Sequence, residues 1–270
     1  MANLQLQDIV LHYEETGTGQ PLLLISGLGG DSQSWAQHIS DLSKNHRVIS
    51  FDSRGSGRTS APDRPYTIAQ MANDTSQLLE HLNIPTTHIL SFSLLGGAIA
   101  LQLALQDASH IDRIAIIASA GNLDNFSRSI LNSWVSSRRS NLSREALVRL
   151  SAPFLYSRSF LNDETRLESM ILSTALNEFE QSDHAFIRQT EAILNWQPSK
   201  NLTTIPNPVL LLNGNEDQLV TPEQTNELAK SLPNCTTKQL AGGHAGLFEL
   251  PDIYRTAILE FFNAPTATAS

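Results

Sequence analysis

Short, continuous apolar runs separated by amphipathic stretches occupy both ends of the chain, and a long middle section holds only amphipathic stretches. Positions 4–7 and 9–13 alternate, or nearly so, around Asp8, as the strands of a half-exposed hairpin do. The run at 22–26 is almost continuously apolar, which marks a strand buried on both faces of a parallel sheet, and the mostly apolar stretches 47–51, 113–119 and 208–212 read as further strands of the same kind. Another apolar run, within 86–100, reaches a serine, turns sharply and enters an Ala/Leu-rich helix over 98–105. Helical spacing joins Trp35, Ile39 and Leu42, and predicts a second helix over 67–82 with Ile68, Met71, Leu78, Leu79 and Leu82 on one side. From 121 to about 198 the buried-strand signal disappears, and helices are predicted over 130–137, 144–150, 164–177 and 184–195. A helix over 223–231, a short strand over 236–240 and a terminal helix over 253–262 follow.

Alternation of strand and helix on both sides of a helical block implies the α/β class. The expected architecture is a doubly wound, mostly parallel eight-stranded sheet with a helical cap inserted after its sixth strand. Residues 1–121 and 199–263 form the core in this reading, 122–198 the cap insertion and 264–270 a disordered tail.

Charge and composition narrow the partners. A net charge of −9 argues against nucleic acid or an anionic membrane and leaves a small-molecule substrate. The pair Arg138-Arg139 reads as a solvated helix face. The single cysteine, Cys235, excludes an internal disulfide, has no neighbour that would activate it and suits a reducing compartment. The first residues lack a charged-then-apolar leader, so the expected location is cytoplasmic. No Cys/His/Asp cluster has metal-ligand spacing and no Gly-x-Gly-x-x-Gly follows the first strand, so no metal and no cofactor are expected.

Candidate chemistry centres on Ser91-Phe92-Ser93-Leu94-Leu95-Gly96-Gly97. A strand–Ser–helix turn lifts a hydroxyl above the sheet and aims the following N–H at a substrate carbonyl. The stretch resembles the nucleophile elbow of the α/β-hydrolases, small-x-Ser-x-Gly-Gly, and the resemblance extends over nearly the whole chain. Two registers are open. From the strand side, Ser91 is the small residue and Ser93 the nucleophile, which leaves Leu95 where a small residue belongs. From the helix side, Gly96-Gly97 fits, Leu94 takes the nucleophile position and one residue too many separates the halves. A bulky Phe92 in the tightest part of the turn is the worse fault, which favours Ser93.

The resemblance implies further roles. Gly214-Asn215-Glu216-Asp217, just past a strand, carries the family's acid on Asp217, with Asp124 the first alternative and Glu216 solvated. Gly242-Gly243-His244, after the last strand, matches the family's general base, whereas His88 is expected to be a satisfied structural histidine. Oxyanion donors would be the N–H groups of Leu28 and Leu94, and Ser26 stands where the family usually has histidine. Asp52-x-Arg54-Gly55-x-Gly57 matches a family hallmark and reads as loop scaffolding. The motifs around 24–30 and 66–72 look like the enol-lactonase and aminoacrylate-hydrolase branches. The implied activity is a serine hydrolase cleaving a small carboxylic ester or lactone through an acyl-enzyme. A non-hydrolytic ligand-binding member, or a cofactor-free enzyme using His244 as base, are the alternatives. The cap aromatics Trp134, Phe154, Tyr156, Phe160, Phe179, Phe186 and Trp196 would suit an apolar acyl or ring substrate, with Trp134, Phe154, Phe160 and Trp196 put forward as contacts, and packing the cap onto the core is the other use for them.

Overall fold

The computed structural model describes residues 2–198 and 202–265. The N-terminal alternation folds into a hairpin of β1 (Ala2–Gln5) and β2 (Val10–Thr16), with Leu4 opposite Leu11. Six parallel strands follow: β3 (Gln20–Ile25), β4 (His46–Phe51), β5 (Thr87–Phe92), β6 (Ile111–Ile117), β7 (Val209–Gly214) and β8 (Cys235–Leu240). The sheet order is β1-β2-β4-β3-β5-β6-β7-β8, with only the pairings of β2 antiparallel. Strand β4 lies on one side of β3 and β5 on the other, so the chain reverses its winding there. The loops leaving the carboxyl ends of β3 and β5 diverge around a crevice at such a switch point.

The consecutive apolar residues are explained by two cores. Leu23 and Ile25 of β3 join one cluster, which includes the helices α2 (Ile68–His81) and α3 (Ser93–Gln106). Leu22 and Leu24 join another on the opposite face, with Trp35, which precedes α1 (Ala36–Leu42). Strand β8 is the exception. It is a largely exposed edge carrying Thr236, Thr237, Lys238 and Gln239, and polar edges of this kind resist pairing with a second chain.

Between β6 and β7 lie α4 (Asn125–Arg138), α5 (Arg144–Leu155), α6 (Arg158–Leu161), α7 (Glu164–Ala175) and α8 (Asp183–Asn195). Asp124, Ser143, Ser157 and Asp163 start four of them by accepting a first-turn N–H. The C-terminal part holds α9 (Pro222–Lys230), α10 (Gly246–Glu249) and α11 (Pro251–Phe262). Several boundaries differ from the expectation. Helix α3 starts at Ser93 and not at 98, because the turn residues are themselves its first turn. Strand β6 stops at Ile117, where Ala118 adopts φ +54°. The single-turn helices α6 and α10 are too short to show a period. Positions 266–270 of the expected tail, and the junction at 199–201, lie outside the described residues. Among the described residues no helix is long and apolar enough to cross a membrane.

Candidate active site

Ser93, the first residue of α3 directly after β5, has φ +63°, a left-handed conformation that is strained for a residue with a side chain. The loop after β3 touches it there: a Cβ on Gly27 would lie 2.6 Å from that of Ser93. Of the two registers, the strand-side one is the geometry adopted, and Leu94 sits in the first turn of α3. Small residues are demanded here at Gly96 and Gly97 and not at position 95. Cβ atoms at Gly96 and Gly97 would lie 2.7 Å from the Ile25 carbonyl and 2.2 Å from Ser119 Oγ, where α3 crosses β3 and the end of β6. Leu95 faces neither and is fully buried in the larger core cluster.

The loops after β7 and β8 carry the other two residues. His244 Nε2 lies 2.8 Å from Ser93 Oγ, and His244 Nδ1 lies 2.9 Å from Asp217 Oδ2, with all three side chains buried. Asp217 is held by the N–H groups of Leu219 (2.9 Å) and Val220 (2.8 Å), which donate to its other oxygen. With a proton on Nδ1 facing that carboxylate, Nε2 is free to accept from the serine hydroxyl. Gly214 lets the two loops meet, since a Cβ there would be 2.2 Å from the Gly243 carbonyl. Asp124 is occupied elsewhere, accepting from Ser127 N and Oγ at the start of α4. Glu216 is not simply solvated. It is half-buried and accepts the Arg158 N–H at the start of α6. His88 is not a satisfied histidine either: its Nδ1 has no hydrogen-bond partner among the described residues, it lies 3.5 Å from the Asp112 carboxylate, and its ring stacks on Phe262.

The proposed oxyanion residues, Leu28 and Leu94, line one cavity together with Ser93. The first N–H groups of a helix have no intrahelical acceptor, which leaves that of Leu94 available. Leu28 lies in the turn closed by Gly30 N donating to the Gly27 carbonyl (3.1 Å), with Gly29 at φ +78°. Ser26 stabilises this loop by donating to the Asp31 carbonyl and accepting from Trp35 Nε1, both at 2.8 Å. Behind it, Asp52 accepts from Ser32 N and Arg58 N, and the buried Arg54 pairs with Asp74 and Asp8. A Cβ at Gly57 would lie 2.3 Å from the Asp52 carboxylate. This loop is scaffolding.

The sequence pattern of the alpha/beta hydrolase fold family matches residues 20–251. The chain belongs to that family. A Serratia proteamaculans protein named "Putative carbamate hydrolase RutD" is 31% identical over 250 residues, covering 87% of this chain and 89% of that protein. A Mycobacterium tuberculosis protein named "Putative non-heme bromoperoxidase BpoC" is 29% identical over 265 residues, covering 94% and 98%. The crystal structure of the enol-lactonase from Burkholderia xenovorans LB400 superposes with a TM-score of 0.88 at 25% identity, covering 97% of this chain and 100% of that one.

In this α/β-hydrolase a cavity of about 280 Å³ lies between the cap and the Ser93 elbow. Of the four proposed aromatic contacts, Trp134 lines it and the other three do not. Phe154 packs edge-on against Trp134, Phe160 stacks on Tyr156 with Arg166 over its ring, and Trp196 Nε1 donates to Gln102 Oε1. These three pack the cap. Of the other cap aromatics, Tyr156 and Phe186 also contribute to the wall and Phe179 does not, and Leu147, Arg138 and Arg144 complete it. Arg138 is therefore not a solvated residue like its exposed neighbour Arg139: it lies over the Phe186 ring at 4.6 Å and pairs with Asp183. Helical spacing within α4 could have distinguished the two, because Arg138 follows Trp134 by four positions and shares its face.

Proposed function

We propose that the chain is a serine hydrolase cleaving a small carboxylic ester or lactone. His244 Nε2 removes the Ser93 proton as Oγ attacks the carbonyl carbon. The Leu28 and Leu94 N–H groups hold the developing oxyanion, and Asp217 orients the imidazole and stabilises its charged form. The protonated imidazole then gives its proton to the leaving oxygen. Water, activated by the same ring, releases the acid and restores Ser93. The observation that carries this reading is the unbroken line of two hydrogen bonds, Ser93 to His244 to Asp217, beneath a cavity with a largely apolar wall. The names of the carbamate hydrolase and enol-lactonase relatives support a carbonyl bonded to oxygen as the group attacked.

A fluorophosphonate probe tests it directly. The native protein is expected to label with one probe per chain and to hydrolyse short acyl esters or simple lactones, and Ser93→Ala to do neither. Hydrolysis that persists undiminished in Ser93→Ala would remove Ser93 from the mechanism.

A further inference from the structure

A buried carboxylate lies behind the histidine. Glu249 ends α10, five residues after His244, and takes no part in the line of hydrogen bonds above. Its Oε1 accepts from Gly243 N at 2.9 Å and from Ser157 N at 3.0 Å, and its Oε2 accepts from Ser157 Oγ at 2.5 Å. Gly243 immediately precedes His244, whereas Ser157 belongs to the cap, between α5 and α6. On the other side of the histidine, Ala245 N donates to the Leu155 carbonyl at 2.7 Å. The two segments meet backbone to backbone: a Cβ at Gly243 would lie 2.7 Å from the Tyr156 carbonyl carbon and 2.8 Å from Ser157 N. Arg166 of α7 closes the arrangement by donating to the Glu249 carbonyl at 2.9 Å.

Both neighbours of His244 are thus bonded to the cap segment 155–157, one directly and one through the Glu249 carboxylate. We infer that Glu249 is a positioning residue that ties the imidazole's backbone to the cap, so that the reach of Nε2 to Ser93 depends on how the cap is seated. This inference rests on the proposed serine-hydrolase reading. A buried carboxylate accepting three hydrogen bonds is a stiff connector, because withdrawing it strands three donors away from water. An imidazole displaced by a fraction of an ångström loses much of its advantage as a base. The cap, which forms the roof of the substrate cavity, then contributes to proton transfer as well as to binding.

The test compares Glu249→Ala, Glu249→Gln and Ser157→Ala with the native chain. Turnover of an ester substrate is divided by the number of sites a fluorophosphonate labels, so that misfolded protein drops out. For Glu249→Ala we expect kcat per labelled site to fall about 10- to 100-fold with KM changed less than about 3-fold. The acid limb of its kcat–pH profile, which reports the base, should move as well. A glutamine side chain keeps an oxygen for both N–H donors, so Glu249→Gln should recover to within about 5-fold of native, and Ser157→Ala should lose about 2- to 5-fold. A merely structural glutamate would lower the labelled fraction and leave kcat per site and the pH profile unchanged, which overturns the inference. If Glu249→Ala does not fold, native kcat per site and a native profile in both remaining variants overturn it equally. Failure of the underlying reading looks different: the native protein would not label at all.

Discussion

At the scale of single residues, the decisive feature is the backbone at Ser93. A left-handed conformation costs a side-chain-bearing residue about 1–2 kcal/mol relative to glycine. Removing the hydroxyl should therefore give an inverted order of stabilities. Ser93→Gly is expected to be more stable than Ser93→Ala by about 1 kcal/mol, the reverse of the usual ranking inside a helix, and urea melts of the two proteins measure it. A more stable alanine variant would mean that the turn is not strained. Asp217→Asn should keep the fold, since one oxygen can still accept from the Leu219 and Val220 N–H groups. It should also lower kcat about 10³- to 10⁴-fold, because an amide favours the wrong imidazole tautomer. Steady-state kinetics beside a thermal melt separates the two effects.

The unit at the next scale is the crossing of α3 over the sheet. In the amino-acid order, Leu95 reads as a fault in the elbow and Gly96-Gly97 as a displaced motif. In three dimensions the helix turns about 100° per residue, so adjacent positions meet different neighbours. Gly96 meets β3, Gly97 meets the end of β6 and Leu95 meets the core. Shrinking Leu95 is accordingly expected to harm the protein. Leu95→Ala should destabilise by about 2–5 kcal/mol by leaving a cavity, and Gly96→Ala by about 1–3 kcal/mol by pressing on the Ile25 carbonyl. Chemical denaturation of both variants checks this, and a Leu95→Ala protein as stable as the native chain would restore the reading of Leu95 as misplaced. The histidine and acid loops were legible because glycines and a strand end leave a local signature. The cap contacts were not, because an aromatic residue on an amphipathic helix looks the same whether it faces a cavity or a neighbouring helix, as Trp134 and Phe160 do.

For the whole molecule, burial of neutral histidines couples stability to pH. Burial pushes His88 down to about 4, with Asp112 opposing and His46 and Arg113 reinforcing the shift. Burial also pushes His38 down to about 4, with Arg255 reinforcing and Asp41 opposing. The unfolded chain takes up these protons below about 6.5, whereas the folded chain refuses them until about 4. Their contribution is therefore complete above pH 6.5 and is lost as the pH falls through that interval. The melting temperature should fall steadily from about pH 6.5 to about 4.5, and His88→Leu should flatten the slope. A slope unchanged by that substitution would show that His88 does not bind the proton on unfolding.

The order of apolar runs was enough to specify an α/β sheet with helices inserted after its sixth strand. Burial on both faces leaves a compositional mark that no loop shares, and strand-to-helix turns need glycine or a small polar residue at particular places. Which hydroxyl stands at the elbow, which cap side chains face the cavity and how Glu249 binds the histidine loop to the cap are matters of side-chain direction between segments far apart in the chain. Those directions are set by packing, after the two cores have fixed where α3 crosses the sheet and where the cap rests.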